Sequence, residues 1–483
     1  MGESKIVLGV DSSTQSTKVE ARRVDTGEVV GVGRSSHPPT EPPRSEQDPA
    51  AWWGALVDAV GQLGDLRNDV VAISVAGQQH GMVVLGENDE VLRPAKLWND
   101  TESAPEATKL VEDFGAQNWA NACGSVPVAA FTVTKVAWLA AHEPDVFAKL
   151  AKVMLPHDWL TYQLTGNFVT DRGDVSGTGW WSPTIADYDD VLLEQIGLSP
   201  EALPKVLAPL EDAGTLRADV AAELGLSEAV VVGAGSGDNM GAALGLGLTP
   251  ADVVVSLGTS GTIYGVSSSP TSDATGAVAG FADATGRFLP LVCTLNATKV
   301  TEAVRTWLDV DHDELNEMAL AEPLGADGVM VLPYFDGERT PNRPHASGMM
   351  SGLRPTTSRG QLARAGFEGV VHAMLDGLEA LTDAGVAASG RLLLVGGGAK
   401  SAAYRQILAD LSQREVTIPF EDEVVATGAA VQAAALSSGD SLEDVAVRWG
   451  LGAGDVVSPS AEATPERVGE LRSDYGALRD GAQ

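Results

Sequence analysis

Two stretches of this chain carry the same plan, and that repetition limits its possible folds more than any other feature. Ile6-Val7-Leu8-Gly9-Val10-Asp11-Ser12-Ser13-Thr14-Gln15-Ser16-Thr17-Lys18-Val19 reads as a buried strand, a turn of small polar residues and a returning strand. Val253-Val254-Val255-Ser256-Leu257-Gly258-Thr259-Ser260-Gly261-Thr262-Ile263 repeats it. Laid on the first, Ser12 to Ser16 match Leu257 to Gly261, and Ser256 falls where Asp11 stands. Small residues let backbone N–H groups approach an anion closely, so each turn is a candidate phosphate cradle. One such turn alone is equally well a hairpin rich in Ser and Thr. Two of them point to duplicated domains whose turns would clamp one polyphosphate. Only the first copy keeps a carboxylate. Mg²⁺ is commonly held by one or two carboxylates plus phosphates, which makes Asp11 the candidate metal-positioning residue.

At 483 residues the chain is longer than one ordinary core accommodates, and the repeat divides it into two domains of roughly 240 residues each. The expected boundary is the short, hinge-like Leu248-Thr249-Pro250, giving domains 1–248 and 249–483. Between about 101 and 229 the pattern is mostly helical, with Trp119, Trp138, Trp159 and Trp180-Trp181, and reads as an insertion in the first domain. A formal charge of −34 argues against nucleic acid as a partner, because neutralising phosphates takes Lys and Arg. An acidic chain can still hold a nucleotide locally through fixed N–H groups, helix N-termini and Mg²⁺. No apolar run reaches about 18 residues, so no membrane span is expected, and Met1 to Lys5 lead into the first strand without a signal-peptide core. Cys123 and Cys293 lie far apart and are expected as buried thiols in a reducing cytoplasm.

Further strand ends carry chemistry-bearing residues. Val70 to Val75 reads as a buried strand that runs out into Ala76-Gly77-Gln78-Gln79-His80-Gly81, and α/β sheets bind ligands at strand C-termini. An ordinary hairpin turn is the alternative there. Leu97-Trp98-Asn99-Asp100 is another polar-aromatic turn. Val230 to Ala234 leaves through Gly235-Ser236-Gly237-Asp238-Asn239-Met240-Gly241 into a helix, so Asp238 is either an N-cap or a functional carboxylate. Leu392-Leu393-Leu394-Val395-Gly396-Gly397-Gly398-Ala399-Lys400-Ser401 has neither Rossmann nor P-loop spacing, and its three glycines would leave a flat wall for a planar base. The loop from Pro333 to Pro341 suggests a lid or a domain contact.

In this order, two phosphate turns, a metal carboxylate, a polar turn, a second carboxylate and a glycine wall resemble the actin-like ATPase superfamily and, within it, the FGGY carbohydrate kinases. The resemblance covers nearly the whole chain. Phe131-Thr132-Val133-Thr134-Lys135-Val136-Ala137-Trp138-Leu139 is similar to that family's first signature. Gly348-Met349-Met350-Ser351-Gly352-Leu353, continuing through Gln361 to Glu368, is similar to its second. Within the family, four segments resemble the members that act on D-xylulose. They are Ser45 to Pro49 with Trp52-Trp53, Ala76 to Gly81, Leu97 to Asp100, and Leu332-Pro333-Tyr334 with Gly337 to Pro341. Two positions depart: Ser13 stands where the first turn usually has Gly, and Gln79 where some of those members have Met.

The resemblance implies an α/β fold of two actin-like (ribonuclease H-like) domains with a cleft between them, the first binding sugar and the second nucleotide. It implies ATP- and Mg²⁺-dependent phosphorylation of D-xylulose at its 5-hydroxyl, in D-xylose catabolism. Another ketose or polyol (ribulose, glycerol or gluconate) is the nearer alternative, and a non-catalytic actin-like sugar sensor the remoter one. Under this resemblance Asp238 is the base and Asp11 positions Mg²⁺. Gln79 and His80 hold sugar hydroxyls, with Trp98, Asn99, Asp100 and Asn239 as further substrate-binding candidates. Ser13, Thr14, Gln15, Gly258, Thr259 and Ser260 hold phosphates, and Gly397, Gly398 and Ala399 face the adenosine. The sequence leaves the oligomeric state open, a homodimer among the options.

Overall fold

The computed structural model describes residues 5–481, which divide into two compact units. The first comprises the chain up to Leu248 together with 268–289 and 421–451, and the second takes 249–267, 290–420 and the chain from Gly452. The expected break at Leu248-Thr249 is present, but neither unit is the single continuous stretch that 1–248 and 249–483 describe. Hydrogen bonds from its backbone explain the first return: Gly280 N–H donates to Gly124 C=O at 2.9 Å and Ala282 N–H to the Ser176 side chain, at Oγ, at 2.8 Å. Helix packing, described below, explains the second.

The sheet of the first unit contains Ile6–Ser12 (β1), Ser16–Arg23 (β2), Val29–Ser36 (β3), Val70–Gly77 (β4), Asp212–Thr215 (β5) and Val231–Gly233 (β6). Their order is β5-β6-β4-β1-β2-β3. The first three form an antiparallel meander, β4 pairs parallel with β1 and with β6, and β5 closes the edge antiparallel. Every residue of β1 is buried, which is why it reads as a continuous apolar run and not as an alternation. The helix Pro49–Gly61 starts at Asp48, whose side chain accepts from Ala50 N–H, and buries Trp52, Leu56 and Val60. The helix Val424–Ser438 lies on β1 so closely that a Cβ on Gly9 would stand 2.0 Å from Ala426 C=O. Its Ala and Gly residues permit that approach. The stretch 101–229 is not an overlay of helices alone, since the helix Pro156–Thr165 packs on β4 and β5 is part of the sheet.

The second unit repeats this topology with Val253–Leu257 (β7), Gly261–Gly265 (β8), Phe288–Thr294 (β9, from Pro290 onward), Leu392–Val395 (β10), Val416–Pro419 (β11) and Gly454–Val457 (β12). Again an antiparallel meander, β7 to β9, continues into parallel strands, β10 and β11, and ends in an antiparallel edge, β12. The repeat seen in two turns is therefore a repeat of the sheet. The turns themselves differ in length. Ser12 pairs with Thr17 across the first and Leu257 with Gly261 across the second, so the match of Ser12–Ser16 to Leu257–Gly261 slips by one residue on the returning strand.

The helix Arg359–Asp383 opens on a capping box between Ser358 and Gln361, and it is buried all round from Ala363 to Leu375. The loop after Leu332 is tied into this unit and is not a lid. Tyr334 is buried with Leu332 and Tyr475, and the Glu338 carboxylate accepts from Leu295 N–H at 2.6 Å and Asn296 Nδ2 at 3.0 Å. Among the described residues no helix is long and apolar enough to cross a membrane.

Candidate functional site

Strand ends of the first unit bring together Asp11, the Gln78-Gln79-His80 turn and Asp238. Parallel pairing sets Asp11 beside Ala76, and Gly237 beside Gly77, so the three turns leave the sheet at one level. Asp11 is buried, and its Oδ1 has no hydrogen-bond partner. Burial pushes its carboxyl up to about 6, against the pull of Lys18. Lys18 Nζ lies 3.9 Å from Asp11 Oδ2 and 2.6 Å from Glu423 Oε2.

Asp238 is the first residue of the helix Asp238–Gly245, and Gly237 is its N-cap, so the capping alternative does not describe it. Its Oδ1 accepts from Asn239 N–H at 2.8 Å and from Asn239 Nδ2 at 2.9 Å. Burial, and then the charge of Asp11, push the Asp238 carboxyl up to about 7. Asn239 Nδ2 also donates to Gln79 Oε1 at 2.8 Å. One amide thus ties the expected base to the expected sugar-binding turn. Gln79 is buried with its Nε2 unpartnered, as is Gln78 Nε2. Buried polar groups are nearly always hydrogen-bonded, so these orphans mark where a polar ligand would be accepted.

His80 adopts φ +64, a backbone conformation uncommon for a non-glycine and concentrated at functional sites. Its Nδ1 lies 2.8 Å from Gly177 C=O, and since a carbonyl only accepts, Nδ1 carries the proton. In the neutral ring Nε2 is then an acceptor. The ring stacks on Phe131 with centroids 4.8 Å apart.

The remaining substrate candidates separate. Trp98 is exposed and donates through Nε1 to Thr14 Oγ1 at 2.9 Å, while Thr14 Oγ1 donates to Gln78 Oε1 at 3.1 Å. Thr14 thereby couples the first expected phosphate turn to the expected sugar turn. Asn99 Oδ1 is buried without a partner. Asp100 is fully buried and its carboxylate is taken up internally, by Lys96 Nζ at 3.0 Å, Ser45 N–H at 2.9 Å and Glu102 N–H at 3.1 Å. That corrects its expected place among the sugar ligands. With Glu46 and Glu102 it forms a carboxylate trio, but Lys96 sits among the three at 2.6 to 3.2 Å and supplies their cation.

In the second unit, Thr259, Gly397 and Gly398 line a cavity of about 520 Å³ with Thr298, Lys400 and Tyr404. Gly258 and Ser260 belong to the same turn, closed by Gly258 N–H donating to Ser260 C=O at 3.0 Å, but are not among the lining residues. The glycines form a single tight turn and not a flat wall, with Gly396 at φ +85. Ala399 is buried but is not among the residues that line the cavity, and its carbonyl accepts from Arg405 Nε at 2.5 Å. Ser13 and Thr14 are half-buried in the first turn and Gln15 is exposed.

Sequence reasoning missed several neighbours. Lys18 was accessible to it, because an antiparallel return places it directly opposite Asp11. Glu423 lies over 400 residues from its partner Lys18, and nothing local announces it. His157 is likewise missed. Fully buried, its Nε2 lies 3.1 Å from Asp158, 3.2 Å from Asp171 and 3.4 Å from Asp174. Burial alone would push the imidazole down, but the three carboxylates outweigh it and hold His157 at about 9.

Residues 6–245 match the N-terminal domain of the FGGY family of carbohydrate kinases, and residues 253–437 match its C-terminal domain. The chain is 48% identical to the xylulose kinase of Streptomyces coelicolor over 485 aligned residues, covering 99% of both chains. It is 47% identical to the xylulose kinase of Streptomyces rubiginosus over 99% of this chain and 98% of that one. Its structure is similar to the crystal structure of xylulose kinase from Bifidobacterium adolescentis, with a TM-score of 0.86 and 38% identity over 99% of both chains.

Proposed function

The chain belongs to the FGGY family of carbohydrate kinases, and we propose that it transfers the γ-phosphoryl group of ATP to the 5-hydroxyl of D-xylulose, releasing ADP. The observation that carries this is the buried carboxylate of Asp11 together with the half-buried Asp238, which Asn239 joins to Gln79, whose Nε2 is left unpartnered. Phosphoryl transfer asks the protein for positioning, charge neutralisation and a carboxylate that takes the hydroxyl proton. Asp238, held near 7, titrates at the working pH, where a general base is most effective. Asn239 occupies its Oδ1, which leaves Oδ2 for the hydroxyl. Gln79 Nε2 can donate to one sugar oxygen, and His80 Nε2 can accept from a sugar hydroxyl.

The donor set at Asp11 fits Mg²⁺, since its Oδ1 is a hard oxygen, buried and without a partner. When bound there, the ion would neutralise phosphate charge. The cavity in the second unit has the size of a small-molecule site, and we assign it to the nucleotide. A buried Cys123 and the absence of a disulfide between described cysteines fit a cytoplasmic enzyme.

Sugar-dependent ADP release across a panel of ketoses and polyols tests the acceptor. D-Xylulose should give the highest kcat/KM and xylulose 5-phosphate as product. Faster turnover of ribulose, glycerol or gluconate would overturn the sugar assignment while leaving the kinase chemistry intact.

A further inference from the structure

Asp238 is aimed by a defect in the sheet, and the defect is held by a side chain from the far end of the sequence. β6 pairs with β4 as Val231 with Ala72 and Val232 with Ile73, but four residues later Ser236 pairs with Ala76 and Gly237 with Gly77. The β6 side has gained one residue, which is a β-bulge. A shift of one residue reverses which face every following side chain meets, and bulges beside active sites serve to re-aim a side chain. The bulge turns at Gly235, with φ +85. A Cβ there would lie 2.5 Å from His157 Nδ1 and 2.7 Å from Val75 C=O, so only glycine fits.

Leaving the ladder would strand the N–H and C=O of Gly235 in a buried place. Gln432, on the helix Val424–Ser438, takes both. Gly235 N–H donates to its Oε1 at 2.9 Å, and its Nε2 donates to Gly235 C=O at 3.2 Å. The amide replaces the neighbouring strand that the bulge has lost. Ser74 Oγ on β4 donates to the same Oε1 at 2.5 Å, and Nε2 also reaches Pro209 C=O at 3.4 Å, so the amide is fixed in orientation. Gln432 is itself buried, and these hydrogen bonds go to Ser74, Pro209 and Gly235, none of which is assigned to sugar, phosphate or base.

We propose that Gln432 is a positioning residue for the reaction, clamping the Gly235 bulge so that the Asp238 carboxylate emerges toward the acceptor. This rests on Asp238 acting as the base. Gln432→Leu keeps the size and removes both bonds to Gly235. Gln432→Asn, one methylene shorter, cannot reach both groups and serves if the leucine variant does not fold. Ala434→Gly, on the same buried helix, is a control chosen to lower stability without touching Gly235. Steady-state kinetics with D-xylulose and ATP should show kcat reduced about 10- to 100-fold in the Gln432 variant, with KM for ATP within about two-fold of wild type. Ala434→Gly should lose thermal stability while keeping kcat within about two-fold. A folded Gln432 variant with wild-type kcat, or an equal kcat loss in Ala434→Gly, overturns the proposal. Asp238→Asn, assayed alongside, separates the two claims. If it stays active the base assignment fails, and if it is inactive while the Gln432 variant is normal, only the clamp fails.

Discussion

Replacing Asp238 with Asn should destroy turnover and, above neutral pH, make the protein more stable. The folded chain holds this carboxyl at about 7 against an ordinary 3.8, burial being the main cause and the charge of Asp11 the second. The native state therefore binds more protons than the unfolded chain between those two values. The corresponding stability is complete below about pH 4 and is lost as the pH rises through about 7. Roughly three pH units at about 1.36 kcal/mol each give a cost of about 4 kcal/mol for folding with Asp238 ionised. Asn is neutral throughout and keeps Oδ1, which now accepts at 2.8 and 2.9 Å from Asn239. Partial exposure of Asp238 discounts the figure, leaving a gain of about 1–3 kcal/mol at pH 8. For a domain of this size that is a rise of about 2–10 °C in Tm. Thermal melts of both proteins from pH 4.5 to 8.5 should show the curves diverging as the pH rises, while kcat falls by about 10²–10⁴. A variant no more stable than wild type at pH 8 would refute the claim that the base is ionised against its surroundings.

Asp11→Asn removes the charge that helps hold Asp238 high, so the acid limb of kcat/KM should move to lower pH while the Mg²⁺ requirement rises; an unmoved limb in a pH–rate profile would break that coupling. His157→Gln leaves Asp158, Asp171 and Asp174 buried without their cation and should cost about 3–5 kcal/mol in urea unfolding at pH 7. The pH dependence runs in the same direction as for Asp238, because both groups hold their protons more tightly in the folded chain than in the unfolded one. The His157 contribution is complete below about 6.5 and fades as the pH passes about 9, so the wild-type advantage should shrink between pH 7 and 10. Gly9→Ala drives a methyl into Ala426 C=O, and soluble expression should be lost; a folded variant with native stability would show that the helix can move off β1.

What the sequence makes legible is local. β1 and β7 are apolar runs ending in small polar turns, and these need no distant information to be seen. Asp238 is visible for the same reason, at the junction of a strand, glycines and a helix. Asp100 looks equally eligible in its polar turn. Its exclusion depends on where the Lys96 ammonium lies relative to Glu46 and Glu102, a three-body arrangement that no spacing expresses. Ala399 and Gly398 are neighbours in a glycine turn and both are buried, yet only Gly398 lines the cavity, a difference of one residue that spacing does not express. Glu423 and Gln432 were invisible because the chain returns to the first unit after the second is nearly finished. Only packing on β1, through alanines and glycines that look like any small-residue helix, reveals that return.

That return also sets a schedule for biosynthesis. The sheet of the first unit is fully translated once Gly237 has been made, but the helix that covers β1 and clamps Gly235 ends at Ser438, some 200 residues later. At about 5–20 residues per second the ribosome needs roughly 10–40 s to supply it. Throughout that interval β1, whose every residue is buried in the finished molecule, lacks its cover, while the second sheet, with a near-identical strand order, is being synthesised. Fragments that stop at Leu248 should therefore be recovered as aggregates, even though all of the residues proposed to bind sugar are present in them.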